Sequence, residues 1–417
     1  MAIVRAFRAI RPIPSLANQV AALPYDVMNS DEAREMVKDN PFSFLHVDKA
    51  EVDLDPSVDL YDTKVYEKAR DTLYKMINEG VFLQDDAPCL YIYKQVMNGR
   101  AQIGIVGCTS IDDYSNNIIR KHELTRADKE QDRINHVDYC DANTGPIFLT
   151  YRGREEINAV VEAKMAEEPP VYNFESEDGI SHTVWIIDEP ELVEALTGAF
   201  AQVDYLYIAD GHHRSASAVR VGGMRRQTNP GYNGSEEFNF FLSVIFPEDQ
   251  LYIMDYNRIV KDLNGLSKEA FLEKVSEKFL IAPYAQDGAL KPTEKHTFGM
   301  YLDGSWYLLA AKPDTFDPFD PVAQLDVSIL QNNLLHPILG IGDPRTDKRI
   351  DFVGGIRGLD ALAKRVDSGA MAVAFSMYPT TMDDLMNIAD AGAIMPPKST
   401  WFEPKLRSGL FIHKLSE

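Results

Sequence analysis

Cysteine is scarce in this 417-residue chain. There are three, Cys89, Cys108 and Cys140, and no C-x-x-C pair joins them. That excludes a disulfide framework and a zinc ribbon and makes a reducing cytoplasm the expected compartment. Long apolar runs are absent as well, and none approaches the ~18 residues of a spanning helix. The opening stretch is broken by Arg5, Arg8 and Arg11, so a secretory signal is not expected. Positive charge is in short supply: 42 Lys and Arg stand against 64 Asp and Glu, a net charge of −22. Such a field repels nucleic acid and anionic lipid, so neither is an expected partner. Also missing are G-x-x-x-x-G-K-[ST], G-x-G-x-x-G and G-x-S-x-G. Their absence removes the common P-loop, dinucleotide and hydrolase-elbow readings.

What is present is an ordinary globular balance, 45% apolar and 25% charged, on a chain long enough for two or three domains. Apolar runs alternate with helical periodicities. Ser30, followed by Asp31 and Glu32, is the expected cap of a short helix. Residues 55–78 read as a longer helix, with Val65, Ala69, Leu73 and Met76 on one face. Asn98-Gly99 between two apolar runs predicts a β-hairpin. The runs 238–246 and 251–256 predict adjacent strands. The alternation predicts a mixed α/β fold, divided into an N-terminal α/β region, 1–262, and a C-terminal α/β domain, 263–417.

The sharpest local signal is Ala209-Asp210-Gly211-His212-His213-Arg214-Ser215-Ala216-Ser217-Ala218, between an apolar strand and a helix. Gly211 permits a tight turn. The amides after it belong to an unsatisfied first helical turn, to which the macrodipole adds positive character. Arg214 supplies a forked, permanent cation, and His212, His213 and Ser215 can donate. Together they describe an anion cradle suited to phosphate, a local reversal of the chain's sign. Asp210 at the strand end could hold Mg2+ or accept a proton. The same spacing also fits an Asp-Gly turn whose arginine pairs with a neighbouring carboxylate.

This motif, D-G-H-H-R-x-x-A, resembles the phosphate-binding motif of the ParB/sulfiredoxin-like superfamily, which includes partition proteins, sulfiredoxins and free-serine kinases. The whole chain resembles the uncharacterised bacterial and archaeal domain-of-unknown-function family 1015, whose members are often labelled ParB-like. The stretches that carry this second resemblance are P-Y-D-V (24–27), N-P-F-S-F-L-H-V (40–47), K-H-E-L-T (121–125), N-T-G-P-I-F-L-T-Y (143–151), A-D-G-H-H-R (209–214), D-Y-N-R-I-V-K-D-L (255–263), D-F-V-G-G-I-R (351–357) and M-P-P-K-S-T-W-F-E-P-K-L-R-S-G-L (395–410). Sulfiredoxins carry a cysteine where His212 stands, so their chemistry is not expected. Partition proteins add a basic helix-turn-helix, which this chain does not show. The free-serine kinases keep D-G-H-x-R and are the closest enzymatic analogue. The resemblance implies a ParB/sulfiredoxin-like nucleotide-binding unit and ATP or ADP with Mg2+ as cofactor. It implies phosphoryl transfer to a small hydroxylated metabolite, with free serine as the leading candidate. A non-catalytic nucleotide switch and a phosphoester hydrolase use the same parts.

Other constellations could complete such a site. Lys121-His122-Glu123-Leu124-Thr125-Arg126 mixes candidate bases, His122 and Glu123, with candidate phosphate binders, Lys121 and Arg126. Asp26 sits on the turn after Pro24 and could serve Mg2+ or a substrate amine. Lys398, Lys405 and Arg407 stud a proline-rich C-terminal stretch that could close over a phosphate. Asp132, His136 and Cys140 share one helix face, but three ligands on one helix cannot close a tetrahedron. One prediction follows from charge alone: the chain should show no salt-dependent affinity for duplex DNA at physiological ionic strength. A shift at sub-micromolar protein in an electrophoretic assay would overturn it.

Overall fold

The computed structural model describes residues 1–416 and has the expected mixed α/β character. The chain forms two compact units. The first comprises Met1–Leu251 and is joined by the tail from Pro404 onward; the second is Tyr252–Glu403. The expected division at 263 falls inside the second unit. The reason is that the strand Tyr256–Val260 hydrogen-bonds on both sides to strands far ahead in sequence, Ile350–Gly354 and Val373–Met377. For the same reason the run 251–256 is not a neighbour of the preceding strand.

The first unit is built on a nine-stranded mixed sheet. From one edge the strands run Ile119–Arg120, Leu206–Asp210, Ile147–Tyr151, Phe240–Pro247, Arg100–Ser110, Leu90–Met97, Ser181–Ile187 and Tyr172–Glu175; Val4–Arg5 pairs off this path with Arg100–Ser110. The predicted hairpin is Leu90–Met97 with Arg100–Ser110. Asn98 and Gly99 both turn at positive φ, 53° and 77°, as a two-residue primed turn requires. Leu206–Asp210 runs parallel to Ile119–Arg120 and antiparallel to Ile147–Tyr151. Its register slips between Ile208 and Asp210, and such a bulge re-aims the side chain that follows it. Leu149, Leu206, Ile208, Phe241 and Ile245 are fully buried in the core beneath this region.

Helix boundaries follow local polar chemistry. The short helix Ser30–Val37 is capped by Asn29 rather than Ser30. The Asn29 side chain accepts from the amides of Asp31 and Glu32, while Glu32 reaches back to the Asn29 amide. The Ser30 hydroxyl is directed instead to Glu51, 2.8 Å away. The next long helix is Thr63–Asn78, starting eight residues later than expected. Asp55 and Asp59 accept from the amides of Ser57 and Tyr61, which holds that stretch in turns until Asp62 caps the helix. The predicted apolar face, Val65, Ala69, Leu73 and Met76, is buried.

The helix His212–Thr228 continues directly from Leu206–Asp210 and packs on Ala127–Cys140. Small residues allow the close approach: Ala216 and Ala218 are buried, and the Ser217 hydroxyl donates to the Glu130 carbonyl at 3.0 Å. The tail returns as His413–Lys414 to pair with Ala142–Asn143. All three cysteines are buried thiols. No helix among the described residues is long and apolar enough to cross a membrane.

The second unit holds a six-stranded antiparallel sheet, ordered Phe279–Pro283, Ser305–Ala311, Thr297–Leu302, Val373–Met377, Tyr256–Val260 and Ile350–Gly354. Asp303-Gly304 makes the hairpin turn between Thr297–Leu302 and Ser305–Ala311. The helix Asp326–Leu330 is short and is continued by a wider π turn over Gln331–Leu335. Asp326 starts it, 8% exposed, with one carboxylate oxygen accepting from the His296 amide at 2.8 Å and the other unpartnered. Burial pushes this carboxyl up to about 7, against the His296 amide; Asp384 adds to the rise and Lys295 opposes it. Because the folded-state value is raised, Asp326 should weaken the fold as pH climbs from about 4 towards 7, by at most about 1.4 kcal/mol per pH unit. Asp326→Asn should remove that component. Denaturant titrations of both proteins across this range should show stability curves that converge in acid and separate towards neutrality, and parallel curves would refute the assignment.

Candidate functional site

The site grows from the junction of Leu206–Asp210 with the following helix. Gly211 turns the chain at φ +94°, a conformation that L side chains rarely adopt. A Cβ there would also lie 3.2 Å from Arg214 Nε. The helix then begins with no side chain capping its first turn, so the amides of His212, His213 and Arg214 stand at the positive end of the dipole. Arg214 Nη1 donates to the Pro146 carbonyl at 2.6 Å, while its Nε is buried without a partner. The Ser215 amide and hydroxyl both bond back to the Gly211 carbonyl, at 2.9 and 3.0 Å, which directs this side chain into the helix and away from the cradle.

Asp210 is held from three sides. Its Oδ1 accepts from the Gly211 amide at 2.9 Å, and its Oδ2 lies 3.3 Å from Lys405 Nζ and 3.9 Å from Arg214 Nη2. Burial alone would raise this carboxyl; Lys405 and then Arg214 overcome it and hold Asp210 ionised, at about 2. A divalent ion on Asp210 would have to displace both cations, so this carboxylate does not fit the Mg2+ role expected of it.

The loop before the Ala127–Cys140 helix brings His122 and Glu123 to the same place. The rings of His122 and His212 meet edge to face at 4.4 Å, and the His122 amide donates to His212 Nε2 at 3.5 Å. Glu123 Oε2 lies 3.9 Å from His212 Nδ1. His122 is 2% exposed and neither of its ring nitrogens has a hydrogen-bond partner. Burial presses it down to about 4, against weaker pulls from Asp210 and the Ile208 backbone. Burial, then His122, lowers His212 as well. His213 Nε2 accepts from the Arg126 amide at 3.0 Å, and burial lowers that ring too, with Asp26 opposing. The three imidazoles therefore contribute polarity without charge at neutral pH. Asp26, exposed in the turn Tyr25–Val27, is the leading anion acting on Arg214 and His213.

Two expected cations, Lys121 and Arg126, do not join the cradle. The Lys121 ammonium sits over the Tyr114 ring, 4.1 Å from its centre, and reaches the Tyr114 carbonyl. The Arg126 guanidinium is exposed and pairs with Asp128 at 2.8 Å. Lys398 belongs to the second unit, where it lies over Tyr256. Lys405, seven residues on, is the tail lysine that reaches the motif. Arg407 is buried and bonded to Asp178 and Ser176. Its place in the cationic tail was visible in sequence, but its partners were not.

On the Asp132, His136 and Cys140 face the polar side chains are engaged with protein partners. Asp132 accepts from Tyr66 at 3.0 Å and pairs with Arg133, while His136 Nε2 contacts Thr144 at 3.1 Å and Asp48 at 3.5 Å. Arg133 lies over the Tyr25 ring, 4.0 Å from its centre. Asp48, Arg133, His136, Thr144 and Arg214 line a cavity of about 20 Å³, room for one water behind the cradle. Sequence reading missed Asp48 and Thr144, although both lie in motif stretches or next to one.

An uncapped helix start, an arginine fork with a buried unpartnered Nε and neutral imidazoles thus stand together at one end of the sheet of the first unit. The chain belongs to the family described as protein of unknown function (DUF1015), whose model matches residues 4–328. No curated protein matches it. Among solved structures it is similar to a free serine kinase point mutant in complex with AMP, at 13% identity and TM-score 0.37 over 74% of this chain and 92% of that one. It is similar to a conserved hypothetical protein from Pyrococcus furiosus, at 14% identity and TM-score 0.34 over 74% and 94%. It is similar to C-terminally truncated SbnI from Staphylococcus aureus, at 11% identity and TM-score 0.36 over 74% and 86%.

The Asp210 clamp makes a direct prediction. Lys405→Met should raise the Asp210 carboxyl from about 2 towards the ordinary 3.8, read by carboxyl-carbon NMR. A depressed carboxyl stabilises the fold above its unfolded value and loses that effect as pH falls. The variant should therefore be less stable at neutral pH, by on the order of 1 kcal/mol, with the gap closing as pH falls from about 4 to 2. An unchanged titration would mean that Lys405 does not bear on Asp210.

Proposed function

We propose that the first unit is a nucleotide-dependent phosphotransferase acting on a small hydroxylated metabolite. The observation that carries this reading is the group of unclaimed donors at one point. An uncapped first turn and a buried, unpartnered Arg214 Nε stand together in a chain of net charge −22. Buried donors of this kind are costly unless a ligand meets them, and a phosphate group meets all of them at once. Phosphoryl transfer asks the protein mainly to position and neutralise charge, and this arrangement does both.

In the proposed reaction the amides of His212, His213 and Arg214, with the Arg214 fork, hold the transferred phosphate. Asp210 keeps Arg214 and Lys405 in place without competing as a metal ligand. Glu123, half-exposed beside His212, is the base that an acceptor hydroxyl can reach; His122, behind it, is the alternative. Asp26, the leading anion acting on Arg214 and His213, would be the carboxylate to hold a Mg2+ that lowers the charge of the nucleotide phosphates. The motif's resemblance to D-G-H-x-R of free-serine kinases makes serine the first acceptor to try and ATP or ADP the first donors.

Arg214→Ala should weaken nucleotide binding by roughly ten- to a hundredfold, the loss of a charge-assisted hydrogen bond. Arg214→Lys should recover only part, because a point charge does not reproduce the fork. Calorimetry with ATP and ADP, alongside turnover with serine and the melting temperature of each preparation, decides the matter. Equal affinity in folded Arg214→Ala removes the cradle. Binding without turnover of any hydroxylated acceptor favours a nucleotide switch, and turnover to water favours a hydrolase.

A further inference from the structure

His122, Glu123 and His212 each offer one ligand atom, and the three atoms lie within 4.8 Å of one another. We propose that these residues form a binding site for one divalent transition-metal ion, of the class of Zn2+, Mn2+, Fe2+ or Co2+, distinct from the Mg2+ that accompanies a nucleotide.

Four observations carry it. First, the donor set is two imidazoles and one carboxylate. That set suits borderline metals, whereas Mg2+ and Ca2+ take oxygen ligands. Second, His122 is 98% removed from solvent, being 2% exposed, yet neither ring nitrogen has a partner. A buried imidazole with no partner for either nitrogen carries a desolvation cost that a metal bond would relieve. Third, His212 makes only a long contact at Nε2, 3.5 Å from the His122 amide, and little is lost in releasing it. Fourth, the three residues come from two separate segments, a loop and a helix start, so they can surround an ion in a way that one helix face cannot.

The spacing fits after a small closure. Metal bonds of about 2.0–2.2 Å place tetrahedral ligand atoms roughly 3.4 Å apart, so the widest separation in the present group must contract by up to about 1.4 Å. That movement falls to Glu123, whose long side chain is 48% exposed. Charge does not forbid the ion. The helix start opposes a cation with about half a charge, which Glu123 offsets; Arg214 and Lys405 are already paired with Asp210, and Lys121 is turned to Tyr114. Three protein ligands leave a fourth position, the pattern of an ion that meets water or a ligand oxygen rather than one that only braces the fold. An ion here would occupy the His122 lone pair, so at that atom metal binding and general-base action exclude one another.

The inference does not depend on phosphoryl transfer, and the test keeps the two apart. The full chain is titrated with Zn2+ and with Co2+ as a spectroscopic probe, with excess Mg2+ present to occupy surface carboxylates. One equivalent should bind per chain, with the intense visible Co2+ bands of a low-coordinate site. Glu123→Gln, a half-exposed substitution compatible with folding, should weaken binding at least about tenfold, and His122→Gln or His212→Gln by roughly a hundredfold or more. Arg214→Ala should lose nucleotide affinity and keep metal affinity within about twofold, so failure of the cradle leaves this site standing and the reverse. No binding under these conditions overturns the proposal. So does binding whose affinity is unchanged in Glu123→Gln, even where the histidine variants do not fold.

Discussion

A partly buried carboxylate needs positive partners, and Asp210 is given three from separate parts of the first unit. One donor is local, the Gly211 amide; one is a turn away, Arg214; and one comes from the returning tail, Lys405. Removing any one leaves charge poorly paired in a low-dielectric setting, which costs more than the pair contributes when intact. Gly211, at positive φ, offers its amide to Asp210, and Arg214 reaches the same carboxylate at 3.9 Å.

The electrostatics resolve what looks contradictory in the composition. A chain of −22 gathers at one point Arg214, Lys405 and a helix start. Asp210 and Asp26 temper them, and three neutral histidines surround them. Neutral rings provide hydrogen-bonding capacity without adding to the positive field. The local potential is thus set by few charges, and changing one of them alters it by a large fraction. Acidic surroundings also discourage polyanions from approaching while leaving a small anion able to enter.

Much of this was legible in the residues. Strand, turn and helix at Asp210-Gly211 follow from the apolar run, the glycine and the absence of a breaker after it. Asn98-Gly99 specifies its hairpin by conformational preference alone. The meeting of His122 and Glu123 with the motif was anticipated by residue type, but not that the rings of His122 and His212 would touch. Lys405 was harder. It stands 195 residues from its partner in a tail with several cations, and no local pattern distinguishes it from Lys398. The re-entry of the tail into the first unit left no compositional mark, so a single cut near 263 was the simplest reading. Asn29 displaced Ser30 as a cap because Glu51, distant in sequence, claimed the serine hydroxyl.

The separation of Asp210 from Lys405 also sets an order of events during synthesis. At ordinary elongation rates on the order of 5–20 residues per second, roughly ten to forty seconds pass between the appearance of the carboxylate and that of its ammonium. Throughout that interval the nascent first unit carries this carboxylate without its lysine. The strand Ala142–Asn143 likewise waits for His413–Lys414. The second unit can complete its own sheet once Val373–Met377 has emerged. The part of the chain made first is therefore finished last, when Lys405 and His413–Lys414 join it.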